Sequence, residues 1–350
     1  IITTKSGEGF EGKPTISFET HYSIDNVGYL APLQRVYAQG EKGVFKQDTW
    51  QTWGPKISEM EPYVNQLGEL EEPGSYENDK DFYETGNTFS NNVSFKNAGT
   101  FGNYIVSLGH TQQNGIIPNS KYNRTSALLG GQYVLSSKFK VNATLNFIDR
   151  YSRDQRDQND NDNYLRGLRD TPPSYNLKGK PYADPSNPAI QIYWRGGQNN
   201  PYWLVNNNYR KINRTQIFGN MFLEYKLNPS LSLNYRIGMN RNIGEAENFD
   251  NMGTASAWRQ IPPIGGRIGI SKSVSTQINS NAFALYDKKI NEVFNFNFVL
   301  GNEIINNNDR IVSGSGTDFI VQGWNNLVNT THLTSSNSDG SNRTVGFYGN

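Results

Sequence analysis

Cysteine is absent from the 350 residues. That excludes a disulfide framework, a thiolate metal site and a cysteine nucleophile, and it is compatible with an envelope protein. Net charge is nearly absent too: 33 Lys and Arg face 32 Asp and Glu, leaving +1. Such a chain has no field that would attract nucleic acid. No run of about twenty apolar residues occurs, which excludes a helical membrane protein. Only three histidines are present, His21, His110 and His332, and they are far apart without ligand spacing. G-x-S-x-G, H-E-x-x-H and Walker loops are missing. Paired carboxylates sit in loop-like stretches with no apolar pocket beside them. The expectation is a protein that is not an enzyme.

Aromatics, by contrast, make up 13% of the chain, with 20 Tyr and 18 Phe, and Gly numbers 34. The mean hydropathy of -0.70 is too polar for membrane helices. It suits a membrane β-barrel, in which only alternate strand residues face lipid and the loops are polar. Alternation is clearest from Gln216 to Asn240. Ile217, Met221, Leu223, Tyr225 and Leu227 share one face of a strand. The chain turns at Asn228-Pro229-Ser230, then Leu231, Leu233, Tyr235, Ile237 and Met239 share a face. Side chains alternate across a strand with period two, so each arm has a greasy face and a wet one. Each arm is about ten residues long, enough to cross a bilayer when tilted.

The same pattern predicts ten strands. The first is Thr15 to Asp25. Others align Phe89, Val93 and Phe95; Tyr104, Val106 and Leu108; Ala127, Leu129, Tyr133 and Leu135; and Phe139, Val141, Ala143, Leu145 and Phe147. After the opening hairpin come a strand ending at Tyr286, one aligning Phe294, Phe296, Phe298 and Leu300, and a last one near Thr344 to Asn350. Long polar stretches rich in Pro and Gly separate some of them, at about 26–86, 151–211, 242–272 and 306–342, with one short helix expected near Ser58 to Leu67. Long and short connections alternate. In outer-membrane barrels the short turns are periplasmic and the long loops extracellular. The predicted fold is therefore an all-β, transmembrane antiparallel β-barrel, partial because ten strands leave edges that a bilayer does not tolerate. The start, Ile1-Ile2-Thr3-Thr4-Lys5, has no charged and apolar leader pattern, and both ends read as cut from a longer chain.

Aromatics cluster near the strand ends: Tyr22, Phe95, Tyr104, Tyr133, Phe139, Tyr225, Tyr235, Tyr286 and Phe294. They are expected to form interfacial girdles, the alternative being ordinary strand preference for Tyr and Phe. Phe218 and Phe222 fall on the polar face of their strand, which calls for packing against an interior plug or for a bulge that shifts the register.

Four stretches carry a resemblance. They are Ile1 to Gly7; Tyr37-Ala38-Gln39-Gly40 with Trp53-Gly54-Pro55; Asn200-Pro201-Tyr202-Trp203 to Asn208 with Arg214 to Asn220; and Arg343 to Asn350. In order and spacing over nearly the whole segment, the chain resembles the SusC/RagA family of TonB-dependent outer-membrane transporters. The resemblance implies that residues 1–12 end a plug domain and that 13–350 form the N-terminal part of a 22-stranded barrel. It implies a bacterial outer-membrane location, a SusD-like surface lipoprotein as lid, import of oligosaccharides or oligopeptides, and energy passed through TonB to the plug.

Loop aromatics are the candidate ligand or lid contacts: Trp50, Trp53, Tyr193, Trp194, Tyr202, Trp203, Trp258 and Trp324. A flat apolar ring beside Asn, Gln and Arg suits a sugar or peptide, while packing among the loops or a lid interface is the preferred reading for any one of them. At least some of Trp194, Tyr202 and Trp203 are expected on the lumen or lid side. No cofactor is expected, with one calcium alternative. Asp157, Asn159, Asp160 and Asp162 offer oxygens, but the glycine and terminal glutamate of an EF-hand are missing, so a solvated loop is preferred. Two other functions compete: a passive porin-like channel, which shares the strands but lacks a plug, and a surface carbohydrate-binding β-protein or adhesin, which calls for shorter strands or a fixed repeat.

Overall fold

Successive side chains that alternate greasy and polar bury only one face, so each strand needs a neighbour in register. In the computed structural model, which describes residues 13–155, 163–255, 264–292 and 294–350, ten strands meet that need in one antiparallel sheet. They are β1 (Thr15–Asp25), β2 (Gly86–Gly99), β3 (Gly102–Asn114), β4 (Lys121–Ser136), β5 (Phe139–Asp154), β6 (Tyr209–Asn228), β7 (Leu231–Asp250), β8 (Arg267–Lys289), β9 (Asn295–Phe319) and β10 (Thr330–Gly349). Each pairs with its sequence neighbours, a meander with no crossover. Residues 1–12 lie outside the described residues.

Register makes the sheet two-faced. One row crosses eight strands as Ile16, Phe95, Val106, Leu129, Leu145, Gly219, Met239 and Ile278. Tyr133, Val141, Leu223, Tyr235 and Ala282 form a parallel row on the same face. Ile16, Phe18 and Leu129 are more than half exposed, with no protein against them. Among the described residues, the buried clusters lie in the loops and at the long-connection ends of the strands, not under the middle of the sheet.

Every short turn lies at one end and every long connection at the other. The short turns use local hydrogen bonds in place of ladder bonds. Asn228 Oδ1 accepts from the amides of Ser230 and Leu231, both at 2.9 Å. Ser136 Oγ accepts from Lys138 and Phe139. Each of these two turns carries a register shift, beside Asn228 and beside Ser136, which fits the tight reversal.

The long connections are shorter than the sequence pattern predicts. Within 242–272, strand reaches Asp250 and resumes at Arg267, and within 306–342 it is interrupted only over 320–329. Strand β9 therefore runs 25 residues and β8 runs 23. The reason is physical: above the apolar band both faces are wet, so alternation fades while the backbone ladder continues. Ser313 and Ser336 hydroxyls meet at 2.7 Å, and Ser315 meets Thr334 at 2.8 Å, across that polar stretch. Within 151–211, strand likewise reaches Asp154 and resumes at Tyr209. The helix expected near Ser58 to Leu67 is instead a 3-10 turn at Ile57–Glu59 and a small ladder of Tyr63–Val64 with Leu70–Glu71. Helices occur at α1 (Asn78–Phe82), α2 (Tyr164–Asp170) and α3 (Pro201–Asn207).

Candidate functional site: the polar sheet face and its loop cap

The second face of the sheet is polar, rows of Ser, Thr, Asn and Gln with charged Lys140, Arg214, Glu224, Arg236 and Glu303 among them. One row crosses all ten strands as Ser17, Ser94, Ser107, Leu128, Asn146, Phe218, Asn240, Gln277, Asn307 and Asn342. Gln277 donates to Asn307 at 2.9 Å, and Asn307 donates to Asn342 at 2.8 Å. Each amide presents both a donor and an acceptor, so the surface suits polar, uncharged ligand groups or water.

Phe218 and Phe222 belong to this face. The pairing of β6 with β7 is unbroken from Tyr209 to Lys226, and with β5 from Arg210 to Tyr225, so no bulge turns them away. Phe222 stacks on Phe283, ring centres 6.5 Å apart, and the Arg236 guanidinium lies 5.4 Å from the Phe222 ring. The result is an aromatic and cationic spot in an amide field. Phe283 was not visible as a partner from sequence, because the pairing of β7 with β8 is what brings it there.

Above the long-connection end, residues 26–85 and 163–208 fold together as a cap with its own apolar core. Phe82, Leu168, Tyr175, Leu177, Tyr193, Trp194 and Val205 are buried in it, with Tyr83, Ile117, Tyr164 and Tyr202 packed around them. A second cluster, Tyr209, Phe249, Ile268 and Phe319, closes the tops of β6 to β9. Buried asparagines tie the cap together. Asn78 donates to the carbonyls of Pro172 and Tyr175 and accepts from the Leu177 amide. Asn200 caps α3 by accepting from Tyr202 at 2.8 Å, with Pro201 in the first turn; Asn before Pro is the expected start of a helix. Its amide donates to the Ile192 carbonyl. Asn199 exchanges two hydrogen bonds with the Ala255 backbone, joining the cap to the next connection. Arg35 binds Glu77 and, at 2.9 Å, Asp79. Lys80 first and then Arg35 hold the Glu77 carboxyl below its usual range.

The first long connection holds itself by backbone pairing. Gly54 donates to the Ala38 carbonyl at 3.0 Å and Trp53 to the Gly40 carbonyl at 3.0 Å. Gly40 sits at φ 140, and a Cβ there would meet the Val44 carbonyl oxygen at 2.0 Å. Replacing Gly40 by Ala is expected to release the turn around residues 38–55, read as new protease cleavage there; an unchanged digestion pattern counts against it.

The predicted contact residues divide clearly. Trp194 and Trp203 are fully buried. The Trp203 indole donates to the Thr254 hydroxyl at 3.1 Å. Tyr193 is also buried, its hydroxyl against Thr171 and the Gly167 carbonyl. Tyr202 packs its ring 5.2 Å from Phe82 and donates to the Asp81 carbonyl. Tyr193, Trp194 and Trp203 are thus buried within the loops, while Tyr202 is only partly buried at their edge; local sequence shows a polar setting but not the partners that bury the rings. Trp50, Trp53 and Trp324 are exposed. Trp258 and the oxygen cluster Asp157, Asn159, Asp160 and Asp162 lie outside the described residues. Tyr22, Phe95, Tyr104, Tyr133, Phe139, Tyr225, Tyr235 and Tyr286 all register on the apolar face. Phe95 contacts Tyr104 at 5.6 Å and Phe139 contacts Tyr225 at 6.3 Å, close to the short turns. Phe294 precedes β9 and is exposed.

Burial raises the phenol of Tyr202 to about 12 and pushes Tyr63, Tyr175 and Tyr193 higher still. A raised folded value means this stabilisation is whole below the ordinary tyrosine value of 10.0 and drains as pH climbs past it. The cap is therefore expected to loosen between about pH 10 and 12 while the sheet persists, followed by phenolate absorbance against strand circular dichroism. Simultaneous loss of both signals counts against a separately packed cap.

No protein-family model matches the sequence, and no curated protein sequence does. Solved structures do match in shape. A chain of the RagAB peptide importer in its closed-closed state superposes over 99% of this chain with a TM-score of 0.71 at 16% identity. The open-open state gives 0.72 at 16%, and a further RagAB peptide transporter structure gives 0.70 at 14%. The fold is that of a partial SusC/RagA-like barrel. This chain covers 41% of the length of the first of those relatives and 40% of the second. The ten strands thus correspond in fold to part of a barrel wall.

Proposed function

We propose that this chain is the N-terminal part of the barrel of a SusC/RagA-family transporter in the bacterial outer membrane. In this reading it imports oligomeric nutrients, peptides or oligosaccharides, with TonB-derived energy and a SusD-like lipoprotein over the long-loop end, and performs no catalysis. One observation carries the reading: a register-locked sheet with one continuous apolar face, one amide-lined face and all long connections at one end. That architecture suits a wall between lipid and an aqueous interior, and large barrels of this kind enclose a plug. Deleting the full-length transporter gene is expected to abolish growth on one class of oligomer; wild-type growth on every oligosaccharide and peptide tested overturns the import reading. A passive channel shares the wall but leaks. Purified full-length protein in liposomes is expected to leave small sugars enclosed, and free sugar efflux favours the channel.

A further inference from the structure

On the outer surface the apolar series is first interrupted by an arginine on two strands. Rising from the short-turn end of β7, Leu231, Leu233, Tyr235, Ile237 and Met239 give way to Arg241. On β10, Phe347 and Val345 give way to Arg343. Arg241 pairs with Thr276, which pairs with Asn308, which pairs with Ser341, so a row of neutral polar groups leads from β7 to β10. Arg310 stands two residues beyond Asn308 on the same face of β9. From strand spacing alone, the three guanidinium-bearing positions lie within about 12–16 Å of one another. Only one carboxylate joins them: Asp339 lies 3.5 Å from Arg310, both well exposed. Among the described residues, no carboxylate is within ion-pair distance of Arg241 or Arg343.

Resting on the membrane reading above, we propose that Arg241, Arg310 and Arg343, with Thr276 and Asn308 between them, form a docking site for the phosphorylated headgroups of the leaflet at the long-loop side. The argument is position and charge. The site begins where arginine first breaks the continuous apolar run, with Ile243, Val274 and Val312 next beyond it on the same face, at the depth of a headgroup when the run from Leu231 to Met239 fills the hydrocarbon. Three forked guanidinium groups against one carboxylate leave a local excess of positive charge. Guanidinium matches phosphate with paired, charge-assisted hydrogen bonds, and the hydroxyl and amide groups supply neutral donors in the centre. An arginine held at this boundary also keeps its stem on apolar surface and its head in the polar layer.

The test uses the full-length transporter placed in phosphatidylcholine vesicles doped with diphosphorylated lipid A or with its phosphate-free form. After re-extraction, retained lipid A per protein is measured by mass spectrometry. Wild type is expected to retain the phosphorylated form and not the phosphate-free one. The R241Q/R343Q variant is expected to lose at least tenfold in retention, and R214Q, on the lumenal face, to behave as wild type. Equal retention of the two lipid forms, or equal retention by R241Q/R343Q, overturns the proposal. Inability of the wild type to insert into any vesicle overturns the membrane reading with it. Insertion without phosphate preference overturns this site alone.

Discussion

Arginine in place of Met221 is expected to destabilise the folded barrel by about 2–4 kcal/mol, the cost of a charge on the lipid face near the bilayer midplane. Arginine in place of Asn220, one residue earlier, is expected to cost little. Met221 sits midway along the apolar series of β6 from Ile217 to Tyr225 and pairs with Ala143 and Ile237. Asn220 points to the other face, among Thr144, Gly238 and Asn279. The two positions share backbone, strand and neighbours in sequence, so propensity cancels and the solvent each face meets remains. Denaturant titration of the full-length protein folded in phospholipid vesicles would measure the difference. A soluble sheet with both faces in water treats the two substitutions alike, and equal costs would therefore overturn the barrel reading.

Alanine in place of Trp203 is expected to open the cap and spare the wall. The side chain is fully buried and its indole donates to Thr254. Removing a buried aromatic costs about 3–5 kcal/mol, and here the loss falls on loops that join the sheet only at their ends. Hydrogen exchange should accelerate across residues 191–208 and 251–255, with the β6–β7 amides unchanged. Trp53, 70% exposed, provides the contrast: its replacement by alanine should leave exchange in the cap as it was. Unchanged protection in the Trp203 variant would show that the loops are held by something other than this core.

These two experiments follow the line between what was legible in the sequence and what was not. The sheet was legible because an apolar face on each strand imposes period two, and Ile217 to Met239 shows that period with almost no noise. Legibility stops where the apolar face does. From Asn306 to Phe319 and from Thr330 to Ser341 both faces meet water, so no alternation marks strands that the ladder nonetheless pairs residue for residue. The cap was not legible for a different reason. Its core joins Phe82, Leu168, Tyr175, Leu177, Trp194 and Val205, positions too scattered for any local pattern. The Asn200-Pro201 helix start was readable as local chemistry, but the burial of Trp203 and the packing of Tyr202 on Phe82 depended on residues far away in the chain. Phe222 fell between these cases. Its place on the polar face followed from parity, yet its partners Phe283 and Arg236 came only with the register of β7 and β8.

The buried asparagines have a consequence for how such a surface can vary. Asn78, Asn199 and Asn200 reach mainly carbonyls and amides of the main chain. Asn329 does the same within 320–329, binding the carbonyls of Val321 and Trp324 and the amide of Val321. Every residue type carries those carbonyls, and every type but proline carries the amide. The partners at these knots can therefore be exchanged for other residues without breaking a bond, provided the asparagines stay. Where such a partner is exposed, as Val321 and Trp324 are, the side chain shown to the surroundings can be renewed while the loop keeps its shape.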